Sequence, residues 1–139
     1  MYVVLDTNVF SYLFKDDSLA EKYRTRLLRH TPCITFQSLA ELYQWMEQNE
    51  WGQRRRLELE TFLHNFLVLP YDNEVAKAWA RIQVECRQKG QPISCQDAWI
   101  GACALRHVIP LATHDPRDFE SISGLEIITE LQGYDPGPI

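Results

Sequence analysis

Five carboxylates have the types and settings to do chemistry together. Asp6 ends the apolar run Tyr2-Val-Val-Leu5, Glu41 follows Ser38-Leu-Ala, Asp97 follows Ser94-Cys-Gln, and Asp115 and Asp118 bracket Pro116-Arg117. Asp6, Glu41 and Asp115 each come just after a predicted strand, and in a parallel sheet the strand ends share one edge, where such folds bind ligands. Asp97 opens a helix whose start can face the same edge. Carboxylates crowded within a few ångströms repel one another and need a compensating cation at neutral pH. An all-oxygen set selects a hard ion, Mg²⁺ or Mn²⁺, over zinc. Such an ion keeps waters and meets phosphate, so the expected chemistry is phosphodiester hydrolysis by an activated water.

Each acid also has a plainer reading. Ser38-x-x-Glu41 and Ser94-x-x-Asp97 both fit a capping box, Asp115-Pro-Arg-Asp118 fits a helix start, and Asp6 fits a cap for the helix after it. Thr7, Asn8 and Thr113 stand beside the acids, either to orient them or as turn and cap residues. Arg117 reads as a phosphate contact or a surface ion pair. His114 reads as a general acid or an exposed loop residue. Arg54-Arg55-Arg56 is the strongest basic cluster, either a solvated helix face or a contact to an RNA backbone, and the three fan out around a helix rather than forming one stripe. Trp45, Trp51 and Tyr43 are spaced more like a core or dimer face than a stacking platform.

The elements that must position these residues alternate. A strand over 2–5 leads into a helix with Val9, Phe10, Leu13 and Phe14 on one face. A helix over 18–29 turns Leu19, Tyr23, Leu27 and Leu28 inward and is stopped by Thr31-Pro32. Strands follow over 33–36, 66–69, 108–112 and 125–128, with helices over 38–48, 53–65, 73–89 and 94–107 between them. Gly90 stops the long fifth helix. This alternation predicts an α/β domain with a mainly parallel sheet and helices on both faces. Residues 1–132 form the domain, and the breaker-rich 133–139 reads as a loose tail.

The totals agree. The 139 residues are 45% hydrophobic, enough for one core. A net charge of −5 argues against a generic nucleic-acid coat protein but not against an enzyme with acidic metal ligands. The four cysteines form no CxxC and no zinc-like pattern with the histidines, so buried, reduced core thiols are expected. No signal peptide or membrane span is legible, and a cytoplasmic location is expected.

At these residues the chain resembles the PIN-domain family, specifically the VapC-type toxins of bacterial toxin–antitoxin pairs. The resemblance is carried by Leu5-Asp6-Thr7-Asn8, Ser38-Leu-Ala-Glu41-Leu42, Asp97-Ala-Trp-Ile-Gly-Ala-Cys-Ala104, and Thr113-His-Asp115-Pro-Arg-Asp118-Phe119 with Gly124-Leu-Glu-Ile-Ile behind it. It implies a three-layer α/β/α fold and a Mg²⁺- or Mn²⁺-dependent endoribonuclease. It also implies a homodimer and a cognate antitoxin that threads a segment across the cleft. By the same resemblance Asp6 and Asp97 hold the main metal, Glu41 is ligand or base for the attacking water, and Asp115 or Asp118 completes the site. RNA would be cut to a 5′-phosphate and a 3′-hydroxyl. Transfer RNA is the family-level target, with ribosomal and messenger RNA open.

Two other readings are weighed. A haloacid-dehalogenase-like phosphatase also begins with a strand ending in Asp, but it needs a second Asp where Asn8 stands and a late Lys, and no Lys follows Lys89. A catalytically silent PIN-like protein-binding module should have lost an acid, and every expected acid is present.

Overall fold

The computed structural model describes residues 1–135. Its five strands are β1 (Tyr2–Leu5), β2 (Thr31–Thr35), β3 (Leu67–Leu69), β4 (Leu111–Ala112) and β5 (Ile127–Ile128). They form one sheet in the order β3-β2-β1-β4-β5, with every pairing parallel. The six α-helices are α1 (Thr7–Lys15), α2 (Ala20–Arg26), α3 (Phe36–Gln48), α4 (Gln53–Leu63), α5 (Asn73–Gln88) and α6 (Cys95–His107), and a 3₁₀ turn covers Pro116–Asp118. The strand order reverses at β1: the chain winds outward through β2 and β3, then returns to place β4 on β1's other side. The carboxyl edge beside that switch is where a ligand site belongs.

The pleat of β1 sorts the core into two layers. Val3 and Leu5 face one cluster with Phe10, Tyr23, Leu42 and Leu59, from α1 to α4. Val4 faces the other, with Val75, Ile82, Ile100 and Phe119, from α5, α6 and the segment behind the 3₁₀ turn. Successive strand residues point to opposite faces, so a continuous Val-Val-Leu run needs helices on both, giving the expected three layers. Among the described residues no helix is long and apolar enough to cross a membrane.

Local details differ from the expectations. Leu28 is 78% exposed rather than inward, because α2 ends at Arg26. Pro32 does not merely stop a helix; it lies within β2, opposite Val3. Thr31 N–H bonds Met1 towards β1, so the missing N–H of Pro32 faces the β3 side, where pairing begins only at Cys33. The fourth strand does not start at Val108. That residue takes the left-handed conformation (φ 54°) that ends α6, and it is 90% exposed. Cys33, Cys86 and Cys103 are buried as expected, but Cys95 is exposed at the start of α6. Tyr134 donates to Glu120 at 3.2 Å; the rest of the expected tail, residues 136–139, lies outside the described residues.

Candidate active site

Asp6 is the first residue past β1 and caps α1: its Oδ1 accepts from Thr7 N–H at 2.8 Å. Its other oxygen, Oδ2, accepts from the Thr113 hydroxyl at 2.7 Å. Thr113 follows β4, which pairs beside β1, so the sheet register alone brings the two together. Asp6 is only 8% exposed. Burial pushes its carboxyl up to about 7 against the pull of the Thr113 and Thr7 donors, and the charges of Asp97 and Glu41 add to the rise. The capping reading of Asp6 therefore holds, and it does not exclude the acidic one: one oxygen caps while the residue senses two distant carboxylates.

Glu41 is different. The N-cap of α3 is Thr35, whose hydroxyl accepts from Ser38 N–H at 3.1 Å, so Ser38 is not the cap and Glu41 lies beyond the first turn. Released from capping, the Glu41 carboxylate accepts from the Thr7 hydroxyl and, at 3.1 Å, from Gln37 Nε2. Ser38 Oγ lies 2.9 Å from Thr7 Oγ1. Thr35, Ser38 and Thr7 thus form a line of hydroxyls ending on Glu41.

Asp97 stands where the sequence places it. Ser94 caps α6, accepting from Asp97 N–H at 3.1 Å. Burial raises the Asp97 carboxyl, the Ser94 hydroxyl lowers it, and the charges of Asp118, Glu41 and Asp115 raise it again. Asp118 is also raised, by burial and then by Asp115. Asp115 precedes the 3₁₀ turn, but its carboxylate does not cap it. Its Oδ2 instead accepts from Asn8 Nδ2 at 2.9 Å, and its N–H bonds Thr113 Oγ1 at 3.0 Å. Asn8 also accepts from His114 N–H at 3.3 Å, so one side chain ties α1 to the loop after β4.

Across one sheet edge, Asp97 and Glu41 therefore act on Asp6; Asp118, Glu41 and Asp115 act on Asp97; and Asp115 acts on Asp118. Asp97 and Asp118 line a cavity of about 300 Å³ with Ser94 and Arg117, which supplies a cation there. The donor set is all oxygen, and the carboxyls of Asp6, Asp97 and Asp118 are raised by burial first and by neighbouring carboxylates second. That suits a hard divalent ion. Among the described residues, however, no three His, Cys, Asp or Glu side chains stand close enough to hold an ion as they are. Closing on one requires the carboxylates to swing inward.

The basic cluster is placed elsewhere. Arg54 pairs with Glu58 at 3.5 Å, Arg55 covers the Trp51 ring at 4.3 Å, and Arg56 bonds the Trp51 carbonyl and Glu47. Their partners lie on α3, α4 and the turn between. Trp45 and Trp51 pack on each other beside Phe14, at the margin of the core.

Sequence reasoning gave His114 no partner. Its Nδ1 is 2.6 Å from the hydroxyl of Tyr23, a fully buried residue of α2 that also accepts from Glu130 N–H. Tyr12 packs edge-on against the same imidazole. Tyr23 and His114 are 91 positions apart, and no local signal marks the pair. Ser38 was also missed as part of the site, although Thr35-x-x-Ser38-x-x-Glu41 held the overlapping caps that hid it.

Comparison with known proteins bears on this geometry. The sequence profile of the PIN domain matches residues 3–125. "Ribonuclease VapC1" of Haemophilus influenzae (strain R2866) is 30% identical over 131 residues, covering 91% of this chain and 96% of that protein. "tRNA(fMet)-specific endonuclease VapC" of Shigella flexneri is 28% identical over 122 residues, covering 88% and 92%. Among solved structures, a member of the VapBC family of toxin-antitoxin systems, VapBC-5 from Mycobacterium tuberculosis, superposes with a TM-score of 0.66 at 26% identity, covering 93% of this chain and 99% of that one.

Proposed function

This chain belongs to the PIN-domain family, among its VapC-type ribonucleases, and from that membership we propose that it is a Mg²⁺- or Mn²⁺-dependent endoribonuclease acting on structured RNA, with transfer RNA first among its substrates. The observation that carries the reading is the convergence of acids from β1, α3, α6 and the loop after β4 on one edge, where burial first and neighbouring carboxylates second raise Asp6, Asp97 and Asp118.

In this reading Asp6, Asp97 and Asp115 would hold the ion, with Asp118 as an additional acid. When bound, the ion supplies positive charge against the phosphate oxygens and acidifies water. Glu41 takes the proton of the attacking water; its carboxylate is aimed by the Thr7 hydroxyl and the Gln37 amide. Thr113 holds Asp6 and the Asp115 backbone together, and Asn8 holds Asp115. Arg117 contacts phosphate from the cavity wall. Arg54, Arg55 and Arg56 remain candidates for more distant backbone contacts. Residues 1–132 make the catalytic domain. A cognate antitoxin is the proposed protein partner, supported by the toxin-antitoxin system named for the Mycobacterium tuberculosis complex, and a homodimer is the proposed assembly.

The test is cleavage of a mixed small-RNA pool by purified protein free of antitoxin, with Mg²⁺, with Mn²⁺ and with chelator, beside Asp6→Asn. Metal-dependent cutting, lost in the variant and leaving 5′-phosphates, is expected. No cutting by folded wild-type protein with either ion overturns the proposal.

A further inference from the structure

Beside the acids runs a line of aromatic rings that hydrolysis does not use. Phe36 opens α3 immediately after β2 ends, at the same carboxyl edge as Asp6, and it is 54% exposed. A single exposed aromatic is ordinary; its backing is not. Phe36 leans on Tyr71, with centroids 5.9 Å apart and planes at 57°. Tyr71 stacks on Trp99 at 4.8 Å and 23°, and Trp99 stacks on Trp79 at 4.9 Å and 22°. Trp79 is pinned by its indole N–H, which donates to the Cys95 carbonyl at 3.2 Å. Offset stacks at such spacings are favourable beyond the area they bury. Four rings thus make a rigid column ending in a ring with an open side.

The column is joined to the catalytic edge. Trp99 lies two residues past Asp97. Gln37, next to Phe36, donates to Glu41. The Tyr71 hydroxyl is buried, and the Gln37 backbone and the Glu41 charge both act on it.

Charge decides what can lie there. The chain carries −5 overall. Two cations on the elements that carry the column are engaged: Arg106 pairs with Asp72 and Lys77 with Glu74. Base faces are neutral, and stacking on an aromatic side chain is tolerant of sequence and needs no cation. A second copy seated here by a two-fold contact would bring two sets of acids together.

We infer that Phe36 is a base-stacking residue: an unpaired nucleobase of the RNA lies on its open side, next to the nucleotide whose phosphodiester faces the acids, and the Tyr71–Trp99–Trp79 column keeps that ring in place. This rests on the endoribonuclease reading and adds to it the residue that holds the base beside the cut.

The experiment measures binding of a fluorescein-labelled single-stranded RNA of mixed sequence in EDTA, beside the same RNA annealed to its complement. Wild type, Phe36→Ala, Phe36→Trp and the surface control Tyr43→Ala are compared, with thermal melts to verify folding. Phe36→Ala is expected to weaken single-strand binding about tenfold and Phe36→Trp to restore it, with the duplex and Tyr43→Ala unaffected. The salt dependence of binding stays unchanged, because no phosphate contact is lost. In cleavage, the loss appears in KM more than in kcat. Unchanged single-strand binding by folded Phe36→Ala overturns the inference while leaving the nuclease intact. So does a loss of self-association in sedimentation without a loss of RNA binding, which would assign the ring to a contact between copies. Wild-type protein that neither binds nor cuts RNA would instead overturn the nuclease reading itself.

Discussion

On the β1 side of the cleft, Asp6, Glu41 and Asp115 each accept a hydrogen bond from another element: from Thr113, Thr7 and Asn8 respectively. On the α6 side, Asp97 leans on Ser94 of its own turn, and the Asp118 carboxylate has no hydrogen-bond donor among the described residues. The first group is aimed by the fold itself, through bonds that span up to 107 residues of sequence. The second faces the cavity beside Arg117 and takes no hydrogen bond from another element among the described residues. The contrast separates two walls: one is aimed by bonds from other elements, the other is not, and among the described residues the acids do not stand close enough to form an ion cage.

That division can be broken most severely at Asp97. Asp97→Asn is expected to lower metal-dependent cleavage by on the order of a thousandfold or more, while thermal stability stays within about 0.5 kcal/mol of wild type or rises as crowded charge is removed. Initial rates and melting curves on the same preparation check both halves. A variant that loses activity and stability together would show that the α6 wall is structural as well.

Asp6 gives the next largest effect, read as stability against pH in chelator. Its carboxyl ionises near 4 in the unfolded chain and at about 7 in the folded one. The folded state therefore keeps a proton that the unfolded state has lost. The contribution of Asp6 to stability should be highest below pH 4, fall as pH rises from about 4 to about 7, and level off above. The fall amounts to on the order of 4 kcal/mol for this group, and Asp97 and Asp118, also raised, act in the same direction. Denaturant midpoints between pH 4 and 8 measure it. Asp6→Asn should flatten the slope, and an unchanged slope would place the buried charge elsewhere.

Thr113→Val sharpens the comparison from the anchored side. The hydroxyl it removes donates to Asp6 and accepts from the Asp115 backbone. Stability should drop by about 1–3 kcal/mol, since buried groups lose their partner, and activity should fall about 10–100-fold through misplaced acids. Unlike Asp97→Asn, this variant should lose both together. Circular dichroism melts and cleavage rates decide it.

Much of this architecture was legible because it is local. The run Val3-Val4-Leu5 states a strand buried on both faces, and Ser94-x-x-Asp97 states a capped helix; both stand as read. Legibility failed where two local signals competed. Thr35 and Ser38 are both good caps three residues apart, and only the length of β2 decides between them. Val108 reads as a strand residue by type, yet it sits left-handed because α6 must end there. Contacts made only by the closed fold left no trace at all. His114 finds Tyr23 across 91 residues, and Phe36 finds its backing in rings from three other segments.

The strand order has a consequence for how the protein is made. β1 is synthesised before β2 and β3, but its second neighbour, β4, comes only after both of them. At translation rates of about 5–20 residues per second, roughly 5–20 s separate Asp6 from the Thr113 that aims it. Throughout that interval the nascent chain has Asp6 but lacks Asp115, and for most of it Asp97 as well. The cluster of acids is therefore completed only by a late, long-range docking of β4 on β1.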